Sequence, residues 1–499
     1  MPLVPKLCLG MHTPRLCLGN RFTTKPNFQS NNPSRYNPIL GLQNWVSYHQ
    51  TRREKKRIMS TRVSNLHLRI MGLLAILILP GAAQAQDTIN GGDTAWIIVA
   101  SALVLFMMIP GLAMFYGGLV RTKNVLSLFM QCFAITAIVT VMWVAYGYSL
   151  AFDSTGMVAG SRGLHAFVGG GGKLFLSGIT PDSVSGTIPE VLFVVFQLTF
   201  AIITPGLIIG AFAERMRFSA VLIFTFIWTT FCYFPICHMV WGGPGAFFAD
   251  LGVIDFAGGI VVHLTAAAAA LVAAIMVGHR KGYRKTPLMP HSLAMTMGGT
   301  AMLWVGWFGF NGGSALSANG SAAMAILVTQ ISPCIAGLVW IAIEWTKNGK
   351  PSALGFATGA IAGLAAITPA AGSVGPPGAF AIGAVSGLFC YWAAIILKNK
   401  LGYDDALDVV GVHGGGGLVG TLLVAIFGAP ALGGWIEDLD MMKQLGLQAF
   451  AAIVTIIFSI IVAYVALKIA DVLVGLRVDE QEEEEGLDVS DHGEVGYDF

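Results

Sequence analysis

The chain has 499 residues, of which 55% are hydrophobic and only 11% charged, whereas soluble proteins have about 25% charged residues. Together with a mean hydropathy of +0.70, this composition is typical of a protein that crosses the membrane many times. The net charge of +2 gives no reason to expect a nucleic acid as a partner. The seven cysteines show no metal-ligand spacing and no disulfide framework, so we expect small apolar side chains.

The N-terminal segment differs from the rest of the chain. Residues 1–58 are polar, basic and rich in Pro and Asn. From Met59 a short basic region leads into an apolar run over 70–79 and then into Ala83-Gln-Ala85, which is the form of a signal peptide (59–85) cleaved after Ala85. Because a signal peptide acts at an N-terminus, we expect Met59 to be the true start and 1–58 to be a misassigned extension. A genuine long leader is the alternative.

Eleven apolar stretches of spanning length follow, since a helix needs about 20 residues to cross the bilayer core. We predict an all-α polytopic membrane domain over residues 86–472 with eleven transmembrane helices, and a cytoplasmic regulatory tail over 473–499. The stretches cover approximately 94–118, 124–152, 190–213, 217–240, 254–278, 292–312, 319–345, 352–372, 375–397, 409–431 and 444–472.

The basic residues between these stretches predict the orientation. Lys and Arg concentrate in cytoplasmic loops. With the mature N-terminus outside, fourteen of them fall inside and only Arg162, Lys173 and Lys443 fall outside. We therefore expect a multi-pass protein of the inner (cytoplasmic) membrane with an external N-terminus and a cytoplasmic C-terminus.

Short matching motifs recur five stretches apart. Phe115-Tyr-Gly-Gly118 in the first stretch matches Phe310-Asn-Gly-Gly313 in the sixth, and Ile203-Thr-Pro205 in the third matches Ile367-Thr-Pro369 in the eighth. An odd offset makes the two copies run through the membrane in opposite directions. We therefore predict an inverted 5+5 repeat with one extra C-terminal helix and a pore at the repeat interface.

The fifth and tenth stretches carry a third match, an aspartate followed eight residues later by a histidine. Asp255 precedes His263, and Asp405 precedes His413. If all eight residues are helical, each histidine lies about 12 Å beyond its aspartate, near the middle of a bilayer core of roughly 30 Å. An ionisable group at that depth is a functional candidate. For one such segment, a hydrogen-bonded interior histidine and an N-capping aspartate would be the simpler interpretation; the repetition favours a functional pair.

Further motifs are spread over the whole mature chain. They are Phe115-Tyr-Gly-Gly-Leu-Val-Arg121, Ala211-Phe-Ala-Glu-Arg-Met-Arg-Phe-Ser219, His238-Met-Val-Trp-Gly-Gly243, Asp255-Phe-Ala-Gly-Gly259, Gly306-Trp-Phe-Gly-Phe-Asn311 and Asp408-Val-Val-Gly-Val-His-Gly414. From about Thr94 to the C-terminus the chain resembles the Amt/MEP/Rh ammonium transporter family, and its bacterial Amt branch most of all.

The resemblance implies a homotrimer with one pore per subunit. It also implies that Trp241 and Ser314 form an external recruitment site for ammonium, with methylammonium as an analogue, and that Phe200 and Phe310 close the pore below it. The paired histidines would line the passage. Asp255 would support the recruitment site, and we count Phe196 with the ammonium-binding residues. The remaining supporting residues are Asp405, Asp408 and Thr368.

The chemistry of ammonium agrees with such a pore. Ammonium has nearly the size and charge of potassium, but it has four N–H donors and can lose a proton. A serine hydroxyl can accept one N–H bond, and an indole face attracts a partly desolvated cation. Because a desolvated charge is costly in hydrocarbon, deprotonation to ammonia favours passage. The histidines then either supply only hydrogen bonds to ammonia or also relay the proton, and we favour the relay.

Other interpretations stay open at this point. One is an ammonium sensor of the same fold, and another is a neutral channel for ammonia or carbon dioxide. We expect no enzyme, cofactor or metal, because each aspartate lies too far along the helix from its histidine to complete a metal site. The tail carries the acidic run 482–485 and the stretch 486–493, and the resemblance implies regulation there by a PII-type signalling protein.

Overall fold

The computed structural model describes residues 89–498, so the predicted signal peptide and the segment before it lie outside the described residues. Most of the described residues are helical. In chain order the long helices are α1 (Gly91–Leu119), α2 (Thr122–Phe152), α3 (Glu190–Phe212), α4 (Phe218–Trp241), α5 (Gly259–Val277), α6 (Leu293–Gly313), α7 (Gly320–Asn348), α8 (Ala353–Ile367), α9 (Pro376–Leu401), α10 (Val410–Phe427) and α11 (Met441–Val474).

Each predicted apolar stretch coincides with one of these helices, but one helix is shorter than predicted. Within residues 89–498, ten helices are long and apolar enough to cross a membrane, whereas α8 has fifteen residues and ends at Ile367 instead of continuing to 372. Pro369 has no N–H to extend the helical hydrogen bonds, and the chain turns through Ala370 and Ser373 before α9 begins. Ten spans are therefore observed, and the eleventh and the inverted repeat stay predictions.

The interior of the bundle is formed by α3, α5, α8 and α10. Every residue of α3 over 199–212 and of α8 over 359–367 is buried. Glycines allow the backbones to approach: a Cβ on Gly420 of α10 would lie 1.8 Å from the carbonyl oxygen of Ala366 in α8, and a Cβ on Gly417 would lie 2.9 Å from Cβ of His263. Small residues at these positions thus bring α10 against α8 and α5.

Both histidine-bearing helices begin with a π-helical turn. In α5 the turn is Gly259–Leu264, and in α10 it is Val410–Gly414. Such wide turns are uncommon and often occur at functional sites. The two histidines therefore occupy the same local structure in the two helices.

The link between α2 and α3, residues 153–189, contains a short antiparallel hairpin, β1 (Val184–Ser185) and β2 (Ile188–Pro189). Its start is tied to α4 by His238, which is fully buried. The Nδ1 atom of His238 lies 3.0 Å from the carbonyl oxygen of Ala151, and its Nε2 atom lies 3.0 Å from that of His165. One side chain thus joins the ends of α2 and α4 to the link.

The chain after α11 packs against the loops at one end of the bundle, which we call the tail side; the opposite end is the far side. Two short helices form there, α12 (Glu480–Glu485) and α13 (Leu487–Ser490). The buried Asp488 accepts a hydrogen bond of 2.8 Å from the backbone N–H of Ser127 at the start of α2. Burial raises the pKa of Asp488 above its ordinary value, although this hydrogen bond opposes the shift.

Candidate functional site

A cavity of about 150 Å³ opens at the far side of the bundle. Trp241 at the end of α4 and Ser314 at the end of α6 lie on its wall, together with Phe193, Gln197, Phe200, Phe256 and Leu316. The hydroxyl of Ser314 donates to the carbonyl oxygen of Phe310 at 2.8 Å. Its lone pairs therefore remain available to accept a hydrogen bond from a ligand. The two residues predicted to recruit the substrate share this cavity.

Asp255 connects this cavity to the histidine helix α5. Its carbonyl oxygen accepts a hydrogen bond of 2.8 Å from Nε1 of Trp241. Its carboxylate accepts four backbone N–H bonds of 2.6–3.0 Å, and their donors are Gly258, Gly259, Ile260 and Val261. A carboxylate in this position satisfies donors that have no partner within the helix.

The expectation of eight helical residues between Asp255 and His263 is therefore wrong. Because the carboxylate caps the helix, α5 begins at Gly259, and Gly258 before it has a φ of +116°, which suits glycine. The same correction applies to Asp405: its Oδ2 atom accepts from the N–H of Val410 at 2.8 Å, so it precedes α10. Both aspartates therefore accept backbone N–H groups at a helix start, although the N-cap positions themselves are occupied by Gly258 and Val409.

Two phenyl rings close the bottom of the far-side cavity. The ring centroids of Phe200 and Phe310 lie 4.3 Å apart, and each side chain is about 1% exposed. Trp241 contacts Phe200 edge-on at 5.7 Å. Phe196 packs against Phe200 at 5.0 Å from behind and is fully buried, so it supports the ring rather than facing the cavity.

The two predicted histidines meet below the phenyl rings. Their Nδ1 atoms lie 3.3 Å apart, and their ring centroids 5.3 Å apart. A hydrogen bond of this kind needs a proton on one Nδ1 and a lone pair on the other. His263 and His413 are 1% and 4% exposed, and Nε2 of His263 has no hydrogen-bond partner in the described structure. The pair can therefore offer a polar atom to a ligand.

Trp307 belongs to this site, although sequence reasoning gave it no role. Its ring lies 5.6 Å from that of His263 and 5.5 Å from that of Phe310. Its Nε1 donates to the hydroxyl of Thr368 at 2.9 Å, and Thr368 in turn donates to the carbonyl oxygen of Leu364. Thr368 thus lies beside the site, where it holds the indole in place. The motif Gly306-Trp-Phe contained the signal, because its tryptophan lies in the middle of a predicted span.

Between the far side and the tail side the lumen almost closes. The cavity beside the histidines has a volume of about 10 Å³. Its lining is apolar apart from the two histidines and Trp307, and the other lining residues are Met107, Leu112, Phe115, Ile203, Leu207, Val262, Leu303, Phe310 and Ile361. Because the indole N–H of Trp307 already donates to Thr368, the histidines are the hydrogen-bonding groups left for a molecule in the lumen.

A cavity of about 220 Å³ follows on the tail side. His413, Arg280 and Asp408 are among its lining residues. Asp408 has a φ of +61° and forms an ion pair with Lys398, whereas Oδ1 of Asp405 is buried without a hydrogen-bond partner. Asp408 therefore lines the tail-side end of the passage, and Asp405 lies in the same loop. The supporting role of the two residues stays a prediction.

A buried ion-pair network adjoins this cavity through Arg280, and sequence reasoning missed it. Glu214, which is 1% exposed, lies 3.1 Å from Arg121 and 3.4 Å from Arg280, and Arg280 also pairs with Asp404 at 2.8 Å. Burial would raise the pKa of Glu214, but the two arginines outweigh it and hold the pKa below its ordinary value. Burial would lower the pKa of Arg280, yet Asp404 and Glu214 raise it. The network therefore stays charged and ties the loops together.

The geometry suits a small ligand better than a metal ion. Within residues 89–498, no group of three or more His, Cys, Asp or Glu side chains is placed to hold a metal. The site instead consists of a far-side cavity with an indole and a hydroxyl, a double phenyl ring, a histidine pair and a tail-side cavity. Two cavities joined by an apolar lumen with a histidine pair are suited to the passage of a small polar molecule.

Known proteins are similar to this chain in sequence. The chain is 44% identical to an ammonium transporter of Aquifex aeolicus over 436 residues, which cover 86% of this chain and all of that protein. It is 44% identical to an ammonium transporter of Mycobacterium bovis over 438 residues, which cover 82% and 91% of the two chains.

Solved structures agree. The crystal structure of Saccharomyces cerevisiae Mep2 matches with a TM-score of 0.71 and 35% identity, over 79% of this chain and 89% of that one. A sensor Amt protein matches with a TM-score of 0.74 and 29% identity, over 80% and 98%. The sequence model of the Ammonium Transporter Family matches residues 95–497. The chain is therefore a multi-pass membrane protein that belongs to the ammonium transporter family and transports ammonium.

Proposed function

We propose that this protein takes up ammonium from the far side, deprotonates it at the phenyl rings and passes ammonia along the histidine-lined lumen to the tail side. One observation carries the proposal. The far-side and tail-side cavities are separated by an apolar lumen of about 10 Å³, in which the paired histidines are the available hydrogen-bonding side chains. An ion with its hydration shell does not fit there, and a bare cation would be poorly solvated.

Recruitment takes place between Trp241 and Ser314. The indole face attracts the cation by about 0.5–2 kcal/mol, and the hydroxyl oxygen accepts one N–H bond. Asp255 fixes Trp241 through its carbonyl oxygen and fixes the start of α5 through its carboxylate. Trp241, on the wall of the far-side cavity, is thereby held in a fixed position relative to α5, the helix that carries His263.

The histidine pair then relays the proton separately. When one Nδ1 donates to the other, the accepting ring carries its proton on Nε2 and the donating ring has a lone pair on Nε2. A proton that enters at one Nε2 can thus leave at the other after the shared proton has moved. In the tail-side cavity the relayed proton binds ammonia again, so that one ammonium ion and one positive charge have crossed. The competing mechanism uses the histidines only as hydrogen-bond partners and moves neutral ammonia.

We further propose a membrane setting and an oligomeric state for this transporter, on the basis of the basic residues and of the family resemblance. We place the protein in the inner membrane as a homotrimer, with eleven spans in an inverted repeat, the far side external and the tail side cytoplasmic. The excess of basic residues on the tail side supports this orientation. The ordered contacts of residues 475–498 with the loops support regulation through the tail by a PII-type protein.

Two other functions remain to be distinguished. An ammonium sensor of this fold is favoured by the similarity to a structure described as a sensor Amt protein. Against a neutral gas channel stands the pairing of Trp241 with Ser314 in one cavity, because a gas has no need of a cation site.

The test is a transient current recorded when ammonium, and separately potassium, is pulsed onto proteoliposomes that hold the chain expressed from Met59. We expect a current with ammonium and none with potassium, and we expect His263→Ala to abolish it. His165→Ala is the matched control, because His165 lies in the link over 153–189 and should leave the current intact. Rapid internal alkalinisation without current would overturn the proton relay, and neither signal would favour the sensor.

A further inference from the structure

A groove runs along the outside of the bundle between α9 and α11. Its central part has a volume of about 200 Å³, and its walls are apolar side chains such as Trp392 and Leu397 of α9 and Ile460 of α11. A wider part of about 670 Å³ continues to the tail side. Leu271 and Tyr403 line both parts, so they form one groove. Trp392 is 41% exposed, which shows that the groove opens outward.

The tail-side end of this groove is cationic. His279 and Gly402 line it, and Nε2 of His279 lies 2.8 Å from the carbonyl oxygen of Gly402. Arg284 donates to the carbonyl oxygen of Asn399, and a Cβ built on Gly402 would lie 3.7 Å from its Nη1. Arg284 is exposed and, within the described residues, forms no ion pair with an acidic side chain. A positive group thus stands where the apolar groove ends.

We propose that this groove binds an anionic phospholipid, with its phosphate at Arg284 and His279 and an acyl chain between α9 and α11. A guanidinium offers paired donors to phosphate oxygens, and basic pockets between membrane helices recognise charged headgroups. The apolar walls match a hydrocarbon chain. A zwitterionic lipid fills the same walls but has no net charge to meet the cationic end, so the anionic lipid binds more tightly.

The floor of the groove is formed in part by the two helical turns that carry the histidines. Val410 and Gly414 line the groove and belong to the π-helical turn that carries His413. Leu264, the residue after His263, also lines it. An acyl chain in the groove therefore contacts the back of both histidine turns. This lipid site lies outside the ammonium pathway, and its existence does not depend on the proton relay.

The test uses the purified full chain, stripped of lipid and titrated with phosphatidylglycerol or phosphatidylcholine of identical acyl chains, with bound lipid counted by native mass spectrometry. We expect phosphatidylglycerol to bind about fivefold more tightly, and Arg284→Gln to remove that preference. Lys350→Gln is the matched control, because Lys350 is also an exposed base on the tail side but does not lie beside the groove residue Gly402 as Arg284 does.

A second pair of variants tests the acyl-chain position. Ala268 lines the groove and is 6% exposed, so Ala268→Phe should fill it and weaken both lipids several-fold. Ile453→Phe adds bulk at an exposed site of α11 that does not line the groove, and it should have no effect. Equal binding of the two lipids, or equal effects of Arg284→Gln and Lys350→Gln, would overturn the proposal. A change in oligomeric state with Ala268→Phe, at unchanged lipid binding, would assign the groove to subunit contact instead.

Discussion

The two capping aspartates differ in their contacts, and the same substitution should therefore have unequal effects. The carboxylate of Asp255 accepts two backbone N–H bonds at each oxygen. The carboxylate of Asp405 accepts the N–H of Val410 at Oδ2, and no group among residues 89–498 is a hydrogen-bond partner of its Oδ1. We predict that Asp255→Asn loosens the start of α5 far more than Asp405→Asn loosens the start of α10.

The difference can be estimated from these contacts. Asn has one acceptor oxygen, so Asp255→Asn keeps two of the four hydrogen bonds and turns an NH₂ group toward the other two donors. A hydrogen bond to a charged group contributes about 1.5–3 kcal/mol, so the loss is roughly 3–6 kcal/mol. At about 1.4 kcal/mol per factor of ten, local opening becomes at least ~100-fold more frequent. Asp405→Asn can place its NH₂ at the unpartnered position and keep the bond to Val410, which costs about 1 kcal/mol.

Hydrogen–deuterium exchange of the full chain in nanodiscs measures this opening directly. Backbone amides over 258–261 should exchange about 100-fold faster in Asp255→Asn. Amides over 409–412 should change less than tenfold in Asp405→Asn. If the two variants change their helix starts equally, or if the amides over 258–261 exchange as in the wild type, the capping account of Asp255 is refuted.

Three further predictions address other contacts. Glu214→Gln removes the buried partner of Arg121 and leaves Arg280 with Asp404 alone. It should lower the free energy of unfolding by about 3–5 kcal/mol, seen as a lower melting temperature. Because the pKa of Glu214 is held low in the folded protein, its stabilisation is present above the unfolded value near 4.3 and is lost only as the pH falls through the lower folded value; a variant difference that shrinks between pH 8 and 5 would contradict this. Phe310→Ala removes one of the two closing rings and should admit water and a potassium flux into proteoliposomes that the wild type lacks. His238→Phe removes the ring nitrogens that lie 3.0 Å from the carbonyl oxygens of Ala151 and His165, so the carbonyl oxygen that accepts the ring N–H loses its partner, at about 1–3 kcal/mol. A thermal shift equal to that of His165→Ala would count against it.

The apolar pattern predicts which segments are helical but says little about where each helix begins or ends. The ten spans follow from hydropathy and the histidine pair from its repeated spacing, whereas the far-side residues came from the family resemblance. The start of α5 could not be predicted in this way, because Asp255, which lies outside the helix, accepts hydrogen bonds from the backbone N–H groups at its start. The end of α8 depends on Pro369, whose effect the hydropathy of the surrounding residues conceals.

Contacts between distant loops could not be predicted from the sequence. Glu214, Arg121, Arg280 and Asp404 come from four separate loops, and nothing in their local sequence indicates that they pair. Trp307 could be noticed in its motif, but its contact with His263 depends on how α6 is rotated against α5. Rotation and register are set by packing across the bundle, which a periodic pattern does not specify.

The narrowness of the lumen has a consequence for cellular energetics. A volume of about 10 Å³ is near the smallest that admits a single water molecule, so the passage beside the histidines holds no row of hydrogen-bonded waters. Such a row would let protons flow down the membrane potential, where each elementary charge releases about 2.3 kcal/mol per 100 mV. In the proposed mechanism protons therefore cross only through the histidine pair, so the membrane potential acts on the one charge that accompanies each ammonium and not on an open water path.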